Sequence, residues 1–260
     1  MKKILTIFLL LAVSLIAEAD KWYIATAANG GSDTDGDGSS AHPWLTLKHA
    51  ADTVTGATFV GDTIVVGVGT FTETQQIVLA VGVSIVGQGA TSIISTTVVD
   101  TGQPWDETAT IILSGPTEGT DGSQSISYLA FDGNNYTADA GIFVYQRSNV
   151  VIHHVDMDDF HYYGIRFRGG AIPPTTYATG NEIHDCDIYN CGGPNASYGD
   201  IQIGGQEGML IYNNNIYQPL RPGFNQSGFP IKYVAGGYNH GLKIYDNTIS
   251  LEESSVYDEW

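Results

Sequence analysis

Asn181-Glu182-Ile183-His184-Asp185-Cys186-Asp187-Ile188-Tyr189-Asn190-Cys191 is the stretch that decides the fold, because the chain repeats it. Ile152-His153-His154-Val155-Asp156-Met157 has the same shape, as do Ile211-Tyr212-Asn213-Asn214-Asn215-Ile216 and Ile244-Tyr245-Asp246-Asn247-Thr248-Ile249. Ile126-Ser127-Tyr128-Leu129-Ala130-Phe131 is a fainter copy. The leading isoleucines stand 26, 31, 28 and 33 residues apart. A period of that size describes stacked units, none of which can bury its apolar face alone.

Working outward, each copy follows a second short apolar strand: Gly141–Tyr145, Gly164–Arg168, Asp200–Gly204 and Pro230–Val234. One turn of the stack therefore reads strand, turn, strand, corner, strand, loop. Earlier segments such as 62–66, 76–79 and 83–86 are rich in β-branched residues and punctuated by glycine, so they read as strands of the same kind. No helical pattern separates them, so they must turn a corner every few residues. The expectation is all-β, a parallel solenoid over residues 20–260. One helix is predicted over 45–54, where Trp44, Leu47, Ala51 and Val54 recur at helical spacing. It is short and one-sided, as a cap on the end of the stack would be. No second capping helix is predicted in 250–260, so further rungs or a partner would follow; otherwise the stack is a monomer.

Met1-Lys2-Lys3, the apolar run Ile4–Ile16 and Ala17-Glu18-Ala19 form the three parts of a signal peptide covering residues 1–19. The expected location is outside the cytoplasm: secreted, periplasmic or on the cell surface. The formal charge of the whole chain is −18. Such a surface repels nucleic acid and anionic membranes and attracts cations. Two cysteines, Cys186 and Cys191, lie on one repeat. An exported chain permits a disulfide between them, although Cys186 occupies the position of Val155, Asn214 and Asn247, which is expected to face inward.

If the repeated isoleucines face inward, their neighbours face out. Parallel stacking then gives vertical columns: Phe143, Arg166, Gln202, Lys232, and beside it Tyr145, Arg168, Gly204, Val234. Tyr163 lies just upstream, and Asp200 begins the rung between Arg166 and Lys232. Aromatic rings suit the apolar faces of sugars, and forked donors suit hydroxyls and carboxylates. On the repeated motif itself, Asp156 stands over Asp187 and His153 over His184. Asp33, Asp35, Asp37 and Gly38 match the first half of a calcium loop, but its twelfth position is Trp44 where a bidentate Glu belongs.

The Asp-Gly-rich head from Asp33 to Leu47, the capping helix, the glycine-spaced strands and the Ile-x-x-Asn-x-Ile motif together resemble right-handed parallel β-helix proteins of the pectin-lyase-like superfamily. The resemblance covers nearly the whole mature chain and implies a single-stranded right-handed parallel β-helix. It implies a secreted protein acting on a polysaccharide, as a lyase on a uronic-acid polymer such as pectate or alginate. In that case Arg166 or Lys232 is the base, Asp200 the nearest carboxylate, and Phe143, Tyr145, Tyr163, Arg168 and Gln202 the sugar-binding surface. Ca²⁺ would neutralise the uronate, with Asp156 and Asp187, or Asp33, Asp35 and Asp37, as candidate ligands. The fold also hosts hydrolases and non-catalytic surface proteins, so a carbohydrate-binding, adhesin-like β-helix or a fragment of a longer one stands as the alternative. The carboxylate and His-Gly motifs of the superfamily's polygalacturonases are missing, which favours lyase over hydrolase.

Overall fold

The computed structural model describes residues 19–99, 108–170, 177–192, 199–219, 229–233 and 238–252. The expected signal peptide lies outside the described residues except for Ala19. Among the described residues, no helix is long and apolar enough to cross a membrane.

Among the described residues every strand pairing is parallel, and every rung places an isoleucine or its equivalent on the one before. Trp22, Ile64, Ile85, Ile126, Ile152, Ile183, Ile211 and Ile244 form one continuous column in a thirteen-stranded sheet. Phe71, Ile94, Phe131, Met157, Ile188, Ile216 and Ile249 form a second column in that sheet. A six-stranded sheet contributes Ile77, Ile111, Ile142, Ile165, Ile201 and Ile231. From Ile64 to Ile211 the first column is buried, whereas Ile244 on the last described rung is 47% exposed. The columns meet in one apolar cluster running the length of the stack. Burying a large aliphatic side chain is worth about 1.5–3 kcal/mol, so these columns supply the main favourable term.

The repeated motif is a bent wall, with the bend at its third residue. Tyr128, His154, Asp185, Asn213 and Asp246 all adopt left-handed backbone, with φ of 52–56°. That conformation is costly for most L-residues and least so for Asn and Asp, which explains the polar residue at this place in the repeat. The next residue turns inward: Leu129, Val155 and Cys186 are buried, and Asn214 replaces them in a later rung. Asn214 is satisfied there. Its Oδ1 accepts the Cys186 N–H at 3.0 Å, and its Nδ2 donates to Ile183 O at 3.1 Å and to Asn247 Oδ1 at 2.9 Å. Asn247 in turn accepts the Asn214 N–H at 3.0 Å. The ladder of side-chain amides thus stitches successive corners together.

The helix spans Leu47–Thr53, inside the expected 45–54, and buries Leu47, Ala50 and Ala51. Its start is held from three directions. Thr46 caps it, accepting the His49 N–H at 3.1 Å. Asp33 accepts the Leu45 and Thr46 N–H groups at 2.8 and 3.1 Å and the Thr46 hydroxyl at 2.8 Å. Glu73, from the strand Gly69–Glu73, accepts the Leu47 N–H at 2.6 Å. Trp22 and Trp44 stack beside it with centroids 5.5 Å apart.

Glu73 is buried, and desolvation raises its pKa from 4.5 to about 7 despite the amides that favour its charge. Between those values the folded chain holds a proton that the unfolded chain has released. Stability from this group is therefore greatest below pH 4.5 and falls as pH rises towards 7. Glu73→Gln keeps an oxygen for the Leu47 N–H without the buried charge. Its unfolding free energy in urea, relative to the parent, should improve between pH 5 and pH 8 by about 1–3 kcal/mol. A difference independent of pH would show that Glu73 is not desolvated in this way.

Candidate functional site

The first outward column exists as a line of register. Ile112, Phe143, Arg166, Gln202 and Lys232 are consecutive partners across the six-stranded sheet. Beside it Ser114, Tyr145 and Arg168 are partners. Gly204 lies beyond the end of its strand Gly199–Ile203, and Val234 lies outside the described residues.

The column is not the open groove expected of it. Phe143 and Arg166 are each 3% exposed and Gln202 1%. The outer face of this sheet carries an apolar cluster of its own: Ala109, Ala140, Phe143 and Tyr163, flanked by Ile112, Tyr145 and Tyr162. Arg166 lies among these rings, its Cζ 5.4 Å from the Phe143 centroid and 5.6 Å from that of Tyr163. A desolvated guanidinium on two aromatic faces is a packing element worth on the order of 2 kcal/mol. Tyr145, Arg168 and Lys232 are half-buried and retain solvent access.

Asp200 does not share that face, so the expected grouping of Asp200 with Arg166 and Lys232 is corrected. It is fully buried, and its Oδ1 accepts the Cys191 N–H at 2.9 Å. The reason lies in the strand geometry. Asp200 precedes Ile201, which pairs with Ile165, so its counterpart one rung earlier is Gly164. A Cβ at Gly164 would lie 3.2 Å from Cys191 Sγ and 3.4 Å from Ile188 Cγ2, so this column looks into the core. Two successive positions, Gly164 and Ile165, therefore face inward, and simple alternation misassigns the residues ahead of them.

The acidic candidates divide similarly. Asp156 and Asp187 are register partners on the large sheet. Burial, and then the neighbouring Asp187, raises the Asp156 pKa. Asn215 Nδ2 donates to Asp187 Oδ1 at 3.1 Å. Nearby Asp158 is pushed to about 6 by burial, then by Asp159 and Asp132. Asp33, Asp35 and Asp37 do not converge: Asp33 is spent on the helix start, Asp35 faces Ser32 and Thr34, and Asp37 accepts the Ser39 N–H at 2.9 Å. A hard cation such as Ca²⁺ takes six to eight oxygens, roughly. Among the described residues neither set brings three such side chains' ligand atoms within 4.8 Å of one another. One group does converge, His154, His184 and Asp185, with ligand atoms all within 4.8 Å of one another.

Above that group the outer wall is a ladder of rings. His153 stacks on His184 at 5.0 Å, His184 on Tyr212 at 4.8 Å, and Tyr212 on Tyr245 at 5.1 Å, with interplanar angles of 4–11°. Their faces are occupied by one another, so the ladder presents edges to solvent and serves rung-to-rung cohesion. Glu118 escaped the sequence reading because it sits in a loop with no repeat copy. Burial raises its pKa, and its Oε2 accepts the Gly170 N–H at 2.6 Å, two residues beyond Arg168.

The model of the family described as right-handed β-helix region matches residues 118–257, and the chain belongs to that family. Among solved structures it is similar to a proposed glycosyl hydrolase from Parabacteroides merdae, at 13% identity and TM-score 0.59, over 88% of this chain and 97% of that one. An alginate lyase from Paenibacillus sp. aligns at 16% identity and TM-score 0.52, over 88% of this chain and 75% of that one. A rhamnogalacturonan lyase aligns at 15% identity and TM-score 0.53, over 85% of this chain and 62% of that one. At these identities the likeness is one of fold. No curated protein matches the chain.

Cys186 and Cys191 remain thiols in the structure. Burial pushes the Cys186 pKa up to about 12 and that of Cys191 well above its ordinary value. Neither thiolate is accessible, so a thiol reagent such as 5,5′-dithiobis(2-nitrobenzoate) should label neither in the native chain and both in denaturing urea. No labelling in urea without reductant would instead reveal a disulfide.

Proposed function

We propose that this chain is an exported, polysaccharide-active β-helix that cleaves a uronic-acid polymer of the pectate or alginate kind by β-elimination. The observation that carries the reading is the basic and aromatic line on the six-stranded sheet, whose solvent-accessible members are Tyr145, Arg168 and Lys232. Two solved structures of similar fold, an alginate lyase and a rhamnogalacturonan lyase, agree with it. The helix Leu47–Thr53 closes the N-terminal end of the stack, and residues 1–19 serve as the export signal.

In this reading each accessible residue has a role. The Arg168 guanidinium pairs with the uronate carboxylate, a forked donor against two oxygens. Neutralising that carboxylate acidifies the proton on the adjacent carbon. Lys232, in its neutral form, removes the proton. The electron pair forms a double bond in the ring as the glycosidic oxygen departs, taking a proton from solvent. Tyr145 lies against a sugar face. Arg166, buried on Phe143 and Tyr163, is a positioning residue that shapes the strand carrying Arg168, and Gln202 sits between it and Lys232 in the same line. Asp200 fixes the Cys191 corner beneath.

A non-catalytic carbohydrate-binding role is the second reading, and the burial of Arg166, Gln202 and Asp200 is what favours it. The two separate in one assay. Elimination generates an unsaturated product, so ultraviolet absorbance should rise on a uronic polymer. Lys232→Ala should lower the rate by about 10²–10⁴-fold with the circular dichroism spectrum unchanged, and Arg168→Ala should weaken turnover and binding together. No absorbance rise on any uronic polymer, with retention on a polysaccharide gel, would replace the lyase reading by the binding one.

A further inference from the structure

On the large sheet, opposite in role to the proposed sugar face, one rung and the next bring together side chains that the proposed function leaves unused. We propose that His154, His184 and Asp185 form a binding site for a divalent transition-metal ion of the zinc, nickel or copper type.

The placement follows from the fold. His184 belongs to the strand Glu182–His184 and pairs with His153 one rung earlier. His154 and Asp185 are the left-handed corner residues that follow them, with φ of 52° and 53°. Adjacent parallel strands lie about 4.8 Å apart, and the shared corner conformation turns both residues to the same side. The result is three ligand atoms within 4.8 Å of one another, two imidazole and one carboxylate. His154 and Asp185 are exposed and His184 is half-buried, so an ion has access.

The surroundings orient the rings as a metal site requires. His154 stacks on Tyr128 at 4.6 Å, and His184 is held between His153 and Tyr212. His153 Nδ1 lies 3.0 Å from His154 Nδ1. If His154 donates that hydrogen, its Nε2 lone pair is available to a metal. His184 Nδ1 and Asp185 Oδ2 are 2.7 Å apart, close enough for one ion to take both in place of the hydrogen between them. Two imidazoles and one carboxylate are a borderline ligand set, suited to zinc, nickel and copper rather than to calcium or magnesium. The grouping occurs once in the ladder, because the following rungs carry Tyr212-Asn213 and Tyr245-Asp246 in the equivalent places.

The test is calorimetric titration of tag-free full chain with ZnCl₂, alongside cobalt absorption spectra. One equivalent should bind, and calcium in excess should not compete. His184→Phe preserves the stacked ring and His154→Asn preserves a residue at ease in left-handed backbone. Each should weaken zinc affinity by about tenfold or more and alter the cobalt spectrum, with thermal unfolding of the metal-free variants close to that of the parent. Absence of saturable binding by the parent would overturn the proposal. So would undiminished one-equivalent binding by the double variant His184→Phe, His154→Asn. Loss of polysaccharide activity plays no part in either outcome.

Discussion

Each rung of this chain must sit on the previous one in parallel and in register, and the rest of the structure depends on that constraint. Register puts isoleucine on isoleucine from Ile64 to Ile244 and gives a core that is a set of columns rather than a centre. A one-residue slip would turn every inward side chain outward. Two devices hold the register at the corners: a left-handed residue repeated at Tyr128, His154, Asp185, Asn213 and Asp246, and the amide ladder of Asn214 and Asn247. Both are local, so each repeat carries its own instructions for where to bend.

The same constraint decides the electrostatics. Stacking places like on like, which is favourable for rings and costly for charges. The ladder from His153 to Tyr245 collects the favourable case. Asp156 over Asp187 is the costly one, and the raised pKa of Asp156 records it, after the larger effect of burial. On the six-stranded sheet the column alternates chemistry instead: Phe143, then Arg166, then Gln202, then Lys232. A cation set on aromatic faces tolerates burial that it would not tolerate over another cation. That arrangement leaves Arg168, Lys232 and Tyr145 as the members able to meet a polymer.

The period, the inward isoleucines and the helix were legible in the sequence because each depends on neighbours within one repeat. Cys186 was legible as an inward residue for the same reason. What could not be read was set by non-local packing. Arg166 looked outward by alternation and is outward, but the rings of Phe143, one rung earlier, and of Tyr163, on its own strand, enclose it. Asp200 was misplaced because Gly164 and Ile165 break the alternation, and nothing in residues 199–204 announces it. Asp33 resembled a cation ligand through its spacing to Asp35 and Asp37, yet its oxygens serve a helix start that lies 12 and 13 residues away. The convergence of His154 with His184 needs both the register and the corner conformation, so the residues could be named from sequence but not assembled.

The central claim is that the solvent-accessible edge of the Phe143–Lys232 line, not the ring ladder on the large sheet, meets the sugar. A crystal structure of the chain soaked with a short oligouronide tests it most directly. The account predicts sugar density against Tyr145 and Arg168, with a uronate carboxylate on the guanidinium and a ring carbon facing Lys232 Nζ. Density lying instead along His184, Tyr212 and Tyr245, with the Arg168 side empty at saturating ligand, would contradict it.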